Sequence, residues 1–173
     1  MDSPLLYIAV IIGVLVLAVL VPRWVRRSSG SAGEREARRL GDAGTAAARE
    51  TLGTTLVVLA PPSVVREIAD SVALQHPRAF TILPGGTYGI RFVEPEDAVA
   101  RLIEIDEGTR VEVARFRDYA GMPNSWAFWT EFQDRVRSGA HARDLETVAG
   151  PLLAFERGSG TDVIWSAVGT DER

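Results

Sequence analysis

Four arginines fall where a binding chemistry would want them. Arg91, Arg101, Arg115 and Arg117 stand in segments that read as β-strands, at positions whose parity groups them with apolar neighbours. Arg101 shares a face with Val99 and Ile103, and Arg115 shares one with Val111 and Val113. A guanidinium turned into a cavity from such a face grips a carboxylate or phosphate headgroup through paired N–H donors. The alternative is structural: a bulge swaps the faces of a strand, and arginine stems lie along apolar surface with the charge in water. Tyr119, Trp126 and Trp165 are aromatic residues that line a pocket, meet a partner or complete the edge of the core. Arg91, Arg101, Arg115, Tyr119, Trp126 and Trp129 together make up the candidate ligand pocket.

Other chemistries find less support. His76 and His141 have no carboxylate or second histidine at metal-ligand spacing. The chain has no cysteine, which excludes disulfides and thiolate metal sites. No serine sits in a nucleophile-elbow pattern. Gly85–Gly89, GGTYG, is followed by a strand rather than a helix N-terminus, so it reads as a hairpin turn and not a phosphate cradle. Glu94-Pro95-Glu96-Asp97 and Asp106-Glu107 lack the glycine and spacing of a calcium loop and read as solvated turns. No catalytic residue, cofactor or metal is expected.

These residues need a scaffold, and hydrophobic periodicity supplies one. Thr54–Ala60 is a short β-branched run that reads as a strand. Pro61-Pro62-Ser63 stops it and opens a helix whose Val64, Val65, Ile68 and Val72 share one face, ending at His76-Pro77. Ala79–Leu83 and Thr87–Val93 form a hairpin around Pro84-Gly85-Gly86, and Ala98–Ile105 and Arg110–Tyr119 form a second around Asp106–Thr109. A longer helix starts at Asn124 or Ser125, with a stripe of Phe128, Trp129, Phe132 and Val136, and is broken or kinked at Gly139. A second helical piece is expected over Ala140–Ala149, then strands over Leu152–Glu156 and Asp162–Val168. The order β-α-β-β-β-β-α-β-β predicts an α+β domain, an antiparallel sheet packed against an earlier helix and a longer C-terminal one.

The passage TLVVLAPPSVVREIADSVA, with Ala60, Pro61, Val65 and Asp70 at the matching positions, resembles the opening of the START-like superfamily of polyketide cyclase-type and lipid-transfer proteins. Hairpins followed by a long helix, here Ser125–Ser138, extend the resemblance over about Thr54–Ala140. It implies a curved antiparallel sheet gripping its last helix, and a cavity for a lipid or other apolar ligand.

The N-terminus carries a different message. Leu5–Val21 is an uncharged apolar run, about 26 Å long as a helix against a hydrocarbon core of about 30 Å. It has no basic residue before it and no small-x-small cleavage site after it, as a cleaved signal would. Arg23, Arg26 and Arg27 follow at once, with Trp24 at headgroup depth. The expectation is a single N-terminal transmembrane helix with its basic flank (1–27) in the inner membrane, N-terminus outside and C-terminal domain cytoplasmic. A juxtamembrane linker (28–53), a frayed helix or disordered, would then lead to a soluble domain (54–173). From Arg23 to Glu50 there are seven arginines against four acids; from Thr51 onward there are 12 arginines against 18 acids. So acidic a domain is a poor nucleic-acid binder. Two functions remain: a membrane-anchored, non-catalytic domain that binds a lipid or apolar small molecule, or a tethered protein–protein interaction module without a small ligand. The expected partners are membrane lipid through the N-terminal helix, and an apolar ligand or a protein.

Overall fold

The computed structural model describes residues 41–159 and 163–168. A helix, α1, covers 41–53. There follow β1 (Leu56–Val58), α2 (Pro62–Gln75), β2 (Phe80–Leu83), β3 (Thr87–Ile90), β4 (Ala98–Ile105), β5 (Gly108–Arg117), α3 (Trp126–His141), β6 (Thr147–Ala149), β7 (Phe155–Arg157) and β8 (Ile164–Ala167). All pairings are antiparallel. Among the described residues the sheet has eight strands in the order β2-β3-β4-β5-β1-β6, with β8 on β5 and β7 on β8.

β5 is the axis of the sheet. One edge pairs with β4 throughout; the other is shared, Thr109–Val111 going to β1 and Arg115–Arg117 to β8. Between the two stretches the register against β4 shifts, so that Val99 faces Arg115 while Ala100 faces Val113. Ala114 is the extra residue, and a bulge reverses the parity beyond it. Val111 and Val113 are fully buried in the core, and past the bulge the core residue is Phe116 rather than Arg115.

The helices cover one face. α2 buries Val65, Ile68, Ala69, Val72 and Ala73, and Pro62 is tolerated because it sits in the first turn. α3 buries Trp129, Phe132, Val136 and Ala140. Phe132 meets Phe80 edge-on at 5.1 Å, lies 5.6 Å from Tyr88 and stacks on Trp129 at 6.1 Å. Each such aromatic pair adds about 0.5–1.5 kcal/mol beyond area burial.

Several expectations are corrected. The transmembrane helix expected over Leu5–Val21 lies outside the described residues, and among those described no helix is long and apolar enough to cross a membrane. The fold class is therefore α+β, an antiparallel sheet with three helices, without a single N-terminal transmembrane helix as one of its described elements. The compact unit begins at Thr45, not Thr54: Ala48 and Leu52 of α1 are buried, although the linker was expected to run to residue 53.

The helical piece expected over Ala140–Ala149 is instead the end of α3, a tight stop and β6. The amide of Asp144 donates to His141 O and that of Leu145 to Ala140 O, both at 3.0 Å, with Asp144 at φ 56°. This is the paired closure that usually takes a glycine at the left-handed position. An aspartate fills that role here, so composition hid the stop. Gly139, read as the break, lies inside α3, where a Cβ would come 2.7 Å from Ile68 Cγ2. Its role is to let α3 approach α2.

Candidate functional site

The six candidate pocket residues do not converge. Trp129 is a core residue, fully buried, with its Nε1 donating to Thr54 O at 3.2 Å. Trp126, one turn earlier, is 44% exposed. Arg101 Nε donates to Glu112 Oε1 at 3.0 Å, and Arg110 Nε donates to Glu112 Oε2 at 2.6 Å. Glu112 is fully buried, so two guanidinium groups neutralise one sheet carboxylate. Arg115, turned away from Val111 and Val113 by the bulge, pairs with Glu96 at 2.5 Å. Arg23, Trp24, Arg26 and Arg27, expected to set membrane topology, lie outside the described residues.

Arg91, Arg115 and Tyr119 do meet at one place: Arg91 opens the loop 91–97 between β3 and β4, and Arg115 and Tyr119 reach its Glu96 and Asp97. Its organiser is Asp97, which sequence reasoning placed in a solvated turn and which is 1% exposed. Asp97 Oδ2 accepts the amides of Phe92, Val93 and Glu94 at 3.1, 2.5 and 2.7 Å. Asp97 Oδ1 accepts the Tyr119 hydroxyl at 2.5 Å. Its backbone joins the frame, since Arg117 N donates to Asp97 O at 2.7 Å. Asp97 stands directly before the uncharged run Ala98–Ala100 and after Pro95. That position, at the mouth of a buried strand, was the signal available in the sequence.

Burial alone would raise the Asp97 carboxyl, but the donors from Tyr119, Val93, Glu94 and Phe92 outweigh it and hold the group below the usual carboxylate range. Tyr119 is raised in turn, first by its bond to Asp97, with the Arg117 guanidinium opposing. Tyr119 is itself aimed by a tight turn. The amides and carbonyls of Tyr119 and Met122 exchange bonds at 3.0 and 3.1 Å around Ala120 and Gly121, both at positive φ (54° and 87°). A two-residue turn with positive φ at both central positions suits glycine or asparagine, so Ala120 stores strain.

Exposed apolar side chains sit on this locked loop. Phe92 is 45% and Val93 58% exposed, and the Phe92 ring lies 6.2 Å from Tyr119. Glu94 and Glu96 flank them at the surface. Neither Asp97 nor Tyr119 is poised to exchange a proton near neutrality, because each is driven away from it. Among the described residues no group of three or more histidine, aspartate or glutamate side chains could hold a metal ion. A separate open groove of about 970 Å³ runs between α2 and α3, lined by Ile68, Val72 and His76 on one side and Thr130, Asp134 and Gly139 on the other.

No family model, curated protein or solved structure matches this chain.

Proposed function

We propose that the described domain is a non-catalytic interaction module whose contact point is the loop 91–97, and that its partner is a protein offering an apolar pocket rimmed by basic side chains. The observation that carries this reading is the buried carboxylate of Asp97, which fixes the backbone beneath two exposed apolar side chains. An anchor already fixed in its bound shape loses little entropy on binding, and buried aromatic anchors supply most of the energy of an interface. Glu94, exposed beside the anchors, favours a basic rim and disfavours anionic surfaces, whereas Glu96 is already paired with Arg115. Chemical crosslinking of the full chain in cells tests the reading. The wild type should give a reproducible adduct that disappears with Phe92→Ser/Val93→Ser, while both proteins melt together. The same adduct from the double variant would refute it.

A second reading is a ligand-binding domain, as the START-like resemblance implies. The groove between α2 and α3 favours it. The space between the sheet and α3 is occupied by Trp129, Phe132 and Val136, so a ligand would sit in that groove rather than under α3. Native mass spectrometry separates the readings: a copurifying ligand mass supports this one, and bare protein from several preparations supports the first.

A further inference from the structure

We propose that β6 is the edge at which two copies of this chain join, by antiparallel pairing of β6 with β6 about a twofold axis at Val148. The inference is independent of the contact loop and rests on the ladder between β6 and β1. Gly150 N donates to Thr55 O, and Leu59 N donates to Glu146 O, both at 3.0 Å. With Val57 opposite Val148, these bonds fix residues 146, 148 and 150 as the ones whose backbone groups face β1. Backbone groups alternate sides along a strand. The N–H and C=O of Thr147 and Ala149 therefore face away from β1, and among the described residues β6 is the last strand in the sheet order.

That edge is complementary to itself. In antiparallel pairing, Thr147 of one copy falls opposite Ala149 of the other, and both residues present outward groups. Each such pair exchanges two bonds, and the twofold axis doubles them to four. Val148 then faces its own copy at the closely spaced, non-hydrogen-bonded position. Its side chain is 39% exposed and shares its face with Val57 and the 38% exposed Leu59, so two apolar side chains from each copy border the join.

Charge permits the join. Thr147, Val148 and Ala149 are uncharged, and the register sets Glu146 opposite Gly150 rather than opposite another acid. Pro151 ends the ladder on each side and pins the register, because proline has no amide to donate. Within its three residues β6 carries no charge, proline or bulge, so shortness is the one guard this open edge has. A closed, twofold pairing of this edge consumes it in both copies, which limits the assembly to two.

The chain contains no cysteine, so single-cysteine variants give a direct test in full-length protein. Val148→Cys places two sulfurs across the axis at a Cα separation of about 4.5 Å, within disulfide range. Mild oxidation in freshly broken cells should convert it to a covalent dimer several-fold more completely than Ser71→Cys on the exposed face of α2. Adding Ala149→Pro, which deletes an outward amide and spares the bonds to β1, should return Val148→Cys to the control level. Equal dimer yields from Val148→Cys and Ser71→Cys would overturn the proposal, as would undiminished crosslinking with Ala149→Pro in place.

Discussion

Asp97 and Glu112 are both buried acids in the sheet region, and their partners give them different parts. Asp97 organises a loop: it accepts three amides and a phenol. Asp97→Asn keeps the side-chain size but turns an N–H₂ against donors and so loosens the loop, a loss of about 1–3 kcal/mol by urea unfolding. The pH dependence has a definite sign. A carboxyl held below its unfolded value of about 3.9 contributes stability above that pH and loses it as pH falls through the folded value. The acid limb of the wild type should therefore be steeper than that of Asp97→Asn, measured as stability against pH below about 4. Glu112→Ala takes their shared carboxylate from Arg101 and Arg110, and should fall toward the lower end of about 3–5 kcal/mol because both guanidinium groups keep some solvent. Ala120→Gly relieves a left-handed alanine and should raise stability by about 1 kcal/mol. Little of this was legible in the sequence. An acid two residues after a proline in an acidic stretch has the composition of a solvated turn, and only the three-dimensional closure of the loop on Asp97 buries it. The parity of Arg115 was misread for a similar reason: one extra residue, Ala114, reverses every face beyond it.

At the scale of elements, sequence and structure agree where periodicity is strong. Of the stripe Phe128, Trp129, Phe132 and Val136 and the face Val64, Val65, Ile68 and Val72, all are buried except Phe128 and Val64, which pack half-buried against the core, and the two hairpins pair with turns where they were expected. Agreement fails where a glycine has two physical uses. Gly139 reads as a helix break by propensity, yet α3 runs through it because Ile68 occupies the space of a side chain. Gly139→Ala thus gains about 1 kcal/mol of helix propensity and loses about 1–3 kcal/mol to overpacking. The net effect should be destabilising. In an Ile68→Ala background the same change should become neutral or stabilising, a coupling that a double-mutant cycle in urea detects. β6 escaped the sequence reading because three residues, Thr-Val-Ala, carry no period, and because Asp144 closes α3 where a glycine would have announced the stop.

For the molecule as a whole, the described domain is held from its N-terminal side as well as within the sheet. Thr45 donates to Gly121 O at 3.2 Å, Leu52 is fully buried, and the Arg49 guanidinium lies 4.1 Å over the Trp165 ring, whose Nε1 reaches Asp118 at 3.4 Å. Leu52→Ala should cost about 2–5 kcal/mol, read as a shift in the urea midpoint, a loss that a solvated linker residue would not produce. No composition rule revealed this docking, since Gly41 and Gly44 interrupt a stretch that reads as a frayed helix or as disorder. The central claim is that a rigid loop, set by one carboxylate, presents Phe92 and Val93 to a protein. Its most direct test places a photoreactive amino acid at position 93 of the full chain and compares adducts formed in cells with Asp97 intact and with Asp97→Asn. The account predicts a discrete protein adduct with Asp97 that is lost when Asp97→Asn loosens the loop. No adduct at position 93, or one indifferent to Asp97→Asn, would contradict it.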